Sequence, residues 1–260
     1  HLNSIEDYTS LFPAAINDIY SNHIASQGYE GLLRLNQKTL EVEPAIATSY
    51  EIDNSKKIYT FHLRKGVKFH DDPCFPDGRG REVTAHDFKY CFEFLCSNHK
   101  DNKWSSLFRD KIAGAEKYRM GETDVVTGIK VIDNYTLQLE LINPYAGLPN
   151  SLAILAACVY PVEAIDTYGY EGMTDRIIGS GPFISNSIVN GEMVKFKKNG
   201  NYWRKDEFGT SLPFINQVKF TFIKDKHQEL KAFQKGDLDL IWGLPVEEIP
   251  NIMGTLEEAK

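Results

Sequence analysis

Residue types that bind metal ions gather in one stretch of the sequence. His70, Asp71, Asp72 and Cys74 fall close together, and His86 stands at the start of a predicted helix. Imidazole, carboxylate and thiolate groups could together hold zinc, and Asp71 or Asp72 could then act as the general base of a metallohydrolase. The spacing matches none of the compact zinc motifs. We therefore interpret the stretch as a solvated loop and predict neither a metal nor another cofactor.

A serine between two glycines, in Gly179–Pro182, is the second pattern with chemical potential. It lacks the spacing and the lysine of a phosphate-binding P-loop. It is not a G-x-S-x-G nucleophile elbow either, because Ile178 and Pro182 occupy the outer glycine positions. The pattern predicts a tight turn, and we expect no catalytic residue in the chain.

Alternating strands and amphipathic helices must position these segments. Apolar residues alternate with polar ones in four places, which predicts one-sided strands over 59–64, 137–141, 194–196 and 218–222. Helical spacing predicts helices over 13–26, 84–95, 161–168 and 227–235, with Thr84 and Asp87 as a capping box. The elements do not follow a regular βαβ order, so the fold class indicated is α/β without a doubly wound sheet.

The charge balance excludes some classes of partner. Lys and Arg number 29 against 36 Asp and Glu, and no dense basic stripe appears. A nucleic-acid-binding protein normally shows such a stripe, so we expect no nucleic acid partner. No apolar run reaches the roughly 18 residues of a membrane span. His1 to Ser4 resemble no secretory signal, which is also what an exported protein shows after its signal has been removed.

The four cysteines are compatible with either a disulfide or free thiols. Cys91 and Cys96 fall on one predicted helix, where their axial separation exceeds the reach of a disulfide. If a bridge exists, Cys74 with one of these two is the better pairing. Buried free thiols, including Cys158, are the alternative that we favour.

Several segments resemble the family 5 bacterial extracellular solute-binding proteins, the group of oligopeptide, dipeptide and nickel receptors. Each segment alone is weak evidence for the family, but the occurrence of all of them in the family's order is specific. They are Tyr29–Leu33 (YEGLL), Pro44–Tyr50, Tyr59–Asp71 (YTFHLRKGVKFHD), Val83–Phe88, Gly179–Phe183 (GSGPF), and Asn201–Trp203 followed by Lys235–Asp239 (KGDLD).

The resemblance implies a periplasmic-binding-protein-like fold of type II, cluster C, with a mixed β-sheet. It predicts a discontinuous lobe I over 1–33 and 162–241, an inserted α+β subdomain over 34–161, and the start of a further lobe over 242–260. Two departures stand out. The loop between Asp71 and Arg81 is longer than in the family, and the chain is shorter. We therefore expect an N-terminal fragment whose second lobe is missing.

The resemblance also suggests which residues face a ligand. The segment after the first turn and the crossing into the next lobe supply most of them: Asn17, Asp18, Ile19, Tyr20, Trp242, Gly243 and Leu244. A ligand amine could pair with Asp18, and Trp242 could form a flat apolar wall that Gly243 lets the backbone approach. The alternatives are a solvated helix position for Asp18 and a core position for Ile19 and Tyr20.

Two further sites complete the predicted cleft. Trp104 would overhang it from the inserted subdomain, although packing explains this residue equally well. Ser180 and Gly181 would lie near it in the turn that returns the chain to lobe I, whereas Trp203 is assigned to the core.

The function implied by this resemblance is peptide capture in an interlobe cleft and delivery to the membrane permease of an ABC importer. The protein would be a periplasmic monomer and could be lipid-anchored. A receptor for a nickel chelate or an oligosaccharide is the first alternative, and the metallohydrolase is the second.

Overall fold

The alternating apolar residues form ten strands in the computed structural model, which describes residues 1–252. The strands are β1 (Leu2–Asn3), β2 (Leu33–Leu35), β3 (Val42–Pro44), β4 (Ala47–Ile52), β5 (Ile58–Leu63), β6 (Ile129–Asp133), β7 (Thr136–Glu140), β8 (Phe183–Val189), β9 (Met193–Lys198) and β10 (Gln217–Thr221). The α-helices in this range are α1 (Ile19–Ala25), α2 (Ala85–Cys96), α3 (Ala115–Arg119), α4 (Leu148–Leu152), α5 (Val162–Gly172) and α6 (Lys226–Gln234). None of these helices is long and apolar enough to cross a membrane.

The first sheet joins the N-terminal strand to segments that follow residue 180. Its strand order is β1-β10-β9-β8, with β1 parallel to β10 and the other neighbours antiparallel. Leu2 pairs with Phe220 and also forms a parallel bridge with Leu240. The N-terminal strand therefore lies between two segments from the end of the described chain, and the predicted mixed sheet is confirmed.

The second sheet is antiparallel, with the order β4-β5-β7-β6. Tyr59, Phe61 and Leu63 of β5 are buried while their neighbours are partly exposed, and Leu137 and Leu139 of β7 are fully buried. Helix α2 packs on β6 and β7 and covers this apolar face. The predicted one-sided strands are confirmed.

A buried ion pair fixes the start of α2. The Thr84 N–H donates to Asp87 Oδ2 at 2.8 Å, so the predicted capping box is present. Arg81 donates two hydrogen bonds to Asp87, at 2.7 and 3.0 Å, and two to Glu163 at the start of α5, at 2.5 and 2.8 Å. Partial burial opposes ionisation of Glu163, but the hydrogen bonds from Arg81 outweigh it and lower the Glu163 pKa. One guanidinium thus joins the starts of two helices.

A second buried carboxylate connects two of the family-like segments. Glu30 of the YEGLL segment accepts hydrogen bonds from Tyr202 Oη at 2.6 Å and from Trp203 Nε1 at 2.9 Å. The Arg64 guanidinium lies 4.0 Å from the centroid of the Trp203 ring. Burial raises the pKa of Glu30 to about 7 against the opposing effect of these hydrogen bonds.

The predicted helix over 13–26 is wrong in its first half. Pro13–Ala15 forms one turn of 3-10 helix, Ile16 is extended, and α1 starts only at Ile19. The break occurs because Asp18 is the N-cap of α1. Its side chain accepts a hydrogen bond from the Ser21 N–H, and an N-cap residue has a non-helical backbone, so the helix begins after it. As a result Ile16 and Ile24 are buried, whereas Ile19 is 61% exposed.

All four cysteines are free thiols. Cys91, Cys96 and Cys158 are buried, and burial raises the pKa of each thiol. Free thiols were the favoured alternative.

One apolar core runs through both large sheets. Residues 2–3 and 183–221 supply the first sheet, and residues 47–140 supply the second. The division into lobe I (1–33 and 162–241), an inserted subdomain (34–161) and a third segment (242–260) stays a prediction. Residues 253–260 of that third segment lie outside the described residues.

The Arg81 bridge predicts the effect of a conservative substitution. Arg81→Lys should lower the free energy of unfolding by about 2 kcal/mol, because a single ammonium cannot serve two carboxylates bidentately while Asp87 stays buried. Urea denaturation measures the loss. Arg119→Lys is the matched control, since Arg119 also binds a carboxylate, but Glu116 is half exposed. Its loss should be much smaller than that of Arg81→Lys, because an exposed ion pair contributes little to stability. Equal losses would contradict the bridge.

The raised pKa of Glu30 predicts a pH dependence of stability. Between pH 4.5 and 7 the folded state keeps Glu30 protonated while the unfolded state ionises, so this contribution is full below 4.5 and is lost as the pH rises through 7. The loss is on the order of 3 kcal/mol in unfolding free energy. Urea midpoints measured from pH 4.5 to 8 should therefore fall more steeply for the natural protein than for Glu30→Gln. Glu41→Gln, at an exposed position, should follow the natural profile. Parallel profiles for all three proteins would refute the assignment.

Candidate functional site

Segments from both the beginning and the later part of the described chain enclose a pocket of about 240 Å³. The end of β1, helix α1, strand β10 and the segment after α6 form its walls. The lining residues are Asn3, Ser4, Ile5, Ile19, Tyr20, His23, Ile24, Phe220 and Trp242. We call this the Trp242 pocket. The structure thus brings together Ile19, Tyr20 and Trp242, which the sequence had placed in one site.

Trp242 offers an exposed aromatic surface at the edge of this pocket. Its side chain is 58% exposed and stacks on His23, with ring centroids 5.9 Å apart and planes inclined by 23°. The chain turns immediately afterwards at Gly243, whose φ of +75° favours glycine. Leu244, the next predicted residue, is 38% exposed. An exposed indole and leucine can supply apolar contact area to a ligand.

A buried carboxylate holds the Trp242 segment in place. Glu229 of α6 is 1% exposed and accepts hydrogen bonds from Asn3 Nδ2 at 2.9 Å and from Lys226 Nζ at 2.7 Å. The same Lys226 ammonium donates to the Trp242 carbonyl at 2.5 Å. This Asn3–Glu229–Lys226 network ties β1, α6 and Trp242 together, so the pocket has a fixed rear wall.

Asp18 precedes Ile19 in the chain and is an ionised helix cap, but it is not among the residues that line the pocket. Its Oδ1 accepts from the Ser21 N–H at 2.8 Å, and its Oδ2 accepts from the hydroxyls of Thr9 and Ser21, both at 2.7 Å. Partial burial raises the pKa of Asp18, but these hydrogen bonds outweigh it and hold the pKa below its ordinary value. The carboxylate is therefore negative at neutral pH, and the adjoining Asn17 is exposed.

Trp104 contacts the same segment from behind. Its indole Nε1 donates to the Ile16 carbonyl at 2.6 Å, and the Lys103 N–H donates to the Ala14 carbonyl at 2.9 Å. The ring is partly buried against the apolar core. Trp104 thus positions the extended residues that precede Asp18, and a direct contact with a ligand stays a prediction.

Ser180 and Gly181 do not line the Trp242 pocket. Ser180 is 1% exposed, and the Gly181 carbonyl accepts from His70 Nε2 at 2.9 Å and from Asn199 Nδ2 at 3.0 Å. A Cβ on Gly181 would come within 2.6 Å of the Gly28 backbone, so glycine is required there. These contacts give the turn a packing role. A contact of Ser180 or Gly181 with a ligand stays a prediction.

The metal-binding residue types do not assemble into a site. Within residues 1–252, no group of three or more His, Cys, Asp and Glu side chains is placed to hold a metal ion. His70 is buried against Gly181, and burial lowers its pKa to about 4. Burial, with a hydrogen bond to Asp72, raises the pKa of Cys74 to about 12, and His86 is exposed. The metallohydrolase interpretation therefore gains no support from the geometry.

Sequence reasoning missed the residues that support the pocket. Asn3, His23, Lys226 and Glu229 carry no motif, and their roles arise from contacts more than 200 residues apart in the case of Asn3 and Glu229. Lys226 and Glu229 are spaced three residues apart on a helix, which is the only local signal of their ion pair.

Comparison with known proteins decides the family. A model of the bacterial extracellular solute-binding proteins, family 5 (middle), matches residues 41–257. The chain belongs to this family. Its members among the curated relatives include the oligopeptide-binding protein OppA of Bacillus subtilis, 30% identical over 93% of this chain, and the dipeptide-binding protein of Escherichia coli, 27% identical over 82%.

Solved structures of family 5 proteins share the fold. An oligopeptide-binding protein of Borrelia burgdorferi superposes with a TM-score of 0.83 over 97% of this chain at 24% identity. DppA of Helicobacter pylori, in complex with the peptide STSA, gives 0.77 over 97% at 24% identity. The chain covers 48% of each of these structures and 42% of the B. subtilis relative. It thus spans less than half the length of the family 5 proteins it matches, as the expected fragment would.

Proposed function

We propose that this chain forms one side of the peptide-binding cleft in a solute receptor of an ABC importer. The observation that carries the proposal is the Trp242 pocket, where Ile19, Tyr20 and Trp242 converge, and the ionised Asp18 directly precedes Ile19 in the chain. Support comes from relatives named for oligopeptide and dipeptide binding. The family and these relatives are binding proteins, and we propose binding without catalysis for this chain too.

The pocket suits a peptide for chemical reasons. Partly exposed Ile19, Tyr20 and Trp242 can cover an apolar side chain, and Asp18 can pair with a free amino group. A second lobe closing over this wall would desolvate both contacts and shift the protein toward its closed form. Peptide capture therefore needs this wall and an opposing one.

The remaining parts of the proposal follow from the family. Family 5 proteins are extracellular, and we propose that the complete protein works in the periplasm, free or lipid-anchored, as a monomer. Its partners would be a peptide and the membrane permease of the importer, without a nucleic acid. A nickel chelate or an oligosaccharide would be the cargo if this proposal fails.

Trp242 gives the first test. The complete gene product should retain peptides that mass spectrometry identifies after denaturation, and calorimetric titration with a retained peptide should give at least tenfold weaker binding for Trp242→Ala, because an apolar contact surface is lost. Phe208→Ala is the control, since Phe208 is 85% exposed and lies outside the pocket. Its affinity should change less than twofold. A retained saccharide or metal chelate, or an unchanged affinity in Trp242→Ala, would contradict the proposal.

Asp18 gives a test that separates charge from packing. Asp18→Asn keeps a good helix cap but removes the negative charge. We expect about tenfold weaker binding of a retained peptide with a free amino terminus, and no further loss when that peptide is N-acetylated. The four affinities form a double-mutant cycle. Additive losses from the substitution and from acetylation would show that Asp18 does not bind the amine.

A further inference from the structure

A second pocket, of about 440 Å³, lies away from the Trp242 pocket where α2, α3 and α5 meet. Its volume falls within the range of small-molecule sites, roughly 300–1,000 Å³. Five of its lining side chains carry aromatic rings and one carries a carboxylate: Tyr90, Phe94, His99, Tyr118, Tyr170 and Glu93. We call it the tyrosine pocket. The two pockets share no lining residue.

The rings form a connected group. Tyr170 stacks on Phe94 with centroids 4.6 Å apart and lies 4.4 Å from the His99 ring. The hydroxyls of Tyr90 and Tyr170 are 3.4 Å apart and share a hydrogen bond. Tyr118 stands on α3, on a different element from the other rings. Aromatic rings from three elements thus line one space, and the face of an aromatic ring attracts cations.

The described side chains that line the pocket include one acid and no base other than His99. No lysine or arginine belongs to the described residues that line it. His99 Nδ1 lies 3.2 Å from the Asp101 backbone nitrogen and 3.6 Å from Asp101 Oδ2, so a further carboxylate stands beside this ring. Burial raises the pKa values of Tyr90, Tyr118 and Tyr170, and nearby acids add to each shift, among them Asp166 at Tyr90 and Tyr170. The three phenols therefore stay neutral at ordinary pH.

Glu93 is the one carboxylate among the described residues that line the pocket, and it forms an ion pair with Lys89. Its side chain is 16% exposed, and the Lys89 ammonium and the Val126 N–H both donate to the same oxygen, Oε1. No residue among 1–252 donates a hydrogen bond to the second oxygen, Oε2. One oxygen of this lining carboxylate is therefore available to a bound cation, in a space otherwise lined by five aromatic rings, Ser97 and Asn98.

We propose that the tyrosine pocket binds the ammonium group of a small organic cation, of the choline or methylated-amine class. Aromatic rings around a carboxylate recognise a cation whose charge is spread over methyl groups, because such an ion loses little hydration on burial. The inference does not depend on the peptide site, since it concerns different residues on different elements.

The test compares choline with its neutral isostere, 3,3-dimethylbutan-1-ol, by calorimetric titration of the 260-residue chain. The shapes of the two molecules match, and only the charge differs. Choline should bind at least tenfold more tightly. Equal binding of choline and the neutral isostere would overturn the proposal. So would a chain that binds neither free choline nor phosphatidylcholine vesicles. Binding to vesicles alone would place the same ammonium chemistry in a lipid headgroup.

Two variants check the site itself. Tyr118→Leu keeps an apolar side chain but removes one aromatic face, and it should weaken choline binding three- to tenfold, while Tyr118→Phe should retain it. Tyr145→Leu, the same change at a tyrosine outside the pocket, should have no effect. Circular dichroism confirms that each variant is folded. A loss in Tyr145→Leu equal to that in Tyr118→Leu would show that choline binds elsewhere.

Discussion

A buried carboxylate on α6 holds together the parts of the chain on which the proposed peptide site depends. Glu229 is shared by Asn3 at the start of the chain and Lys226 at the start of α6, and Lys226 also binds the carbonyl of Trp242. A buried charge of this kind is tolerated only with such partners, and removing one of them leaves the others unsatisfied. The parallel pairing of β1 with β10 brings the same segments into register. Without these contacts Trp242 would have no fixed position opposite Ile19 and Tyr20.

Two further buried acids, Asp87 and Glu30, also connect segments of the chain. Asp87, paired with Arg81, fixes the start of α2 and links it to α5, while Glu30 binds Tyr202 and Trp203. The hydrogen-bond partners of these two acids differ in charge. Asp87 forms an ion pair with a guanidinium. Glu30 faces two neutral donors, and these do not offset its burial.

Much of the fold could be predicted from local patterns, and the exceptions have physical reasons. Strands such as β5 and β7 follow from strict alternation, because one face packs on the core. The helix predicted over 13–26 failed because periodicity alone cannot tell a helix from a turn followed by a capped helix, and Asp18 decided the outcome. Within the site, the sequence suggested Ile19, Tyr20 and Trp242 through resemblance. It gave no indication of Asn3 and Glu229, whose burial depends on contacts between the chain's distant segments.

The account rests on peptide binding at the wall formed by α1 and Trp242, and a crystal structure of the complete protein with a retained peptide tests this most directly. We predict peptide atoms within van der Waals distance of Trp242 and of Ile19 or Tyr20, with the Asn3–Glu229–Lys226 network unchanged. A peptide bound elsewhere, with only solvent against Trp242, would contradict the account.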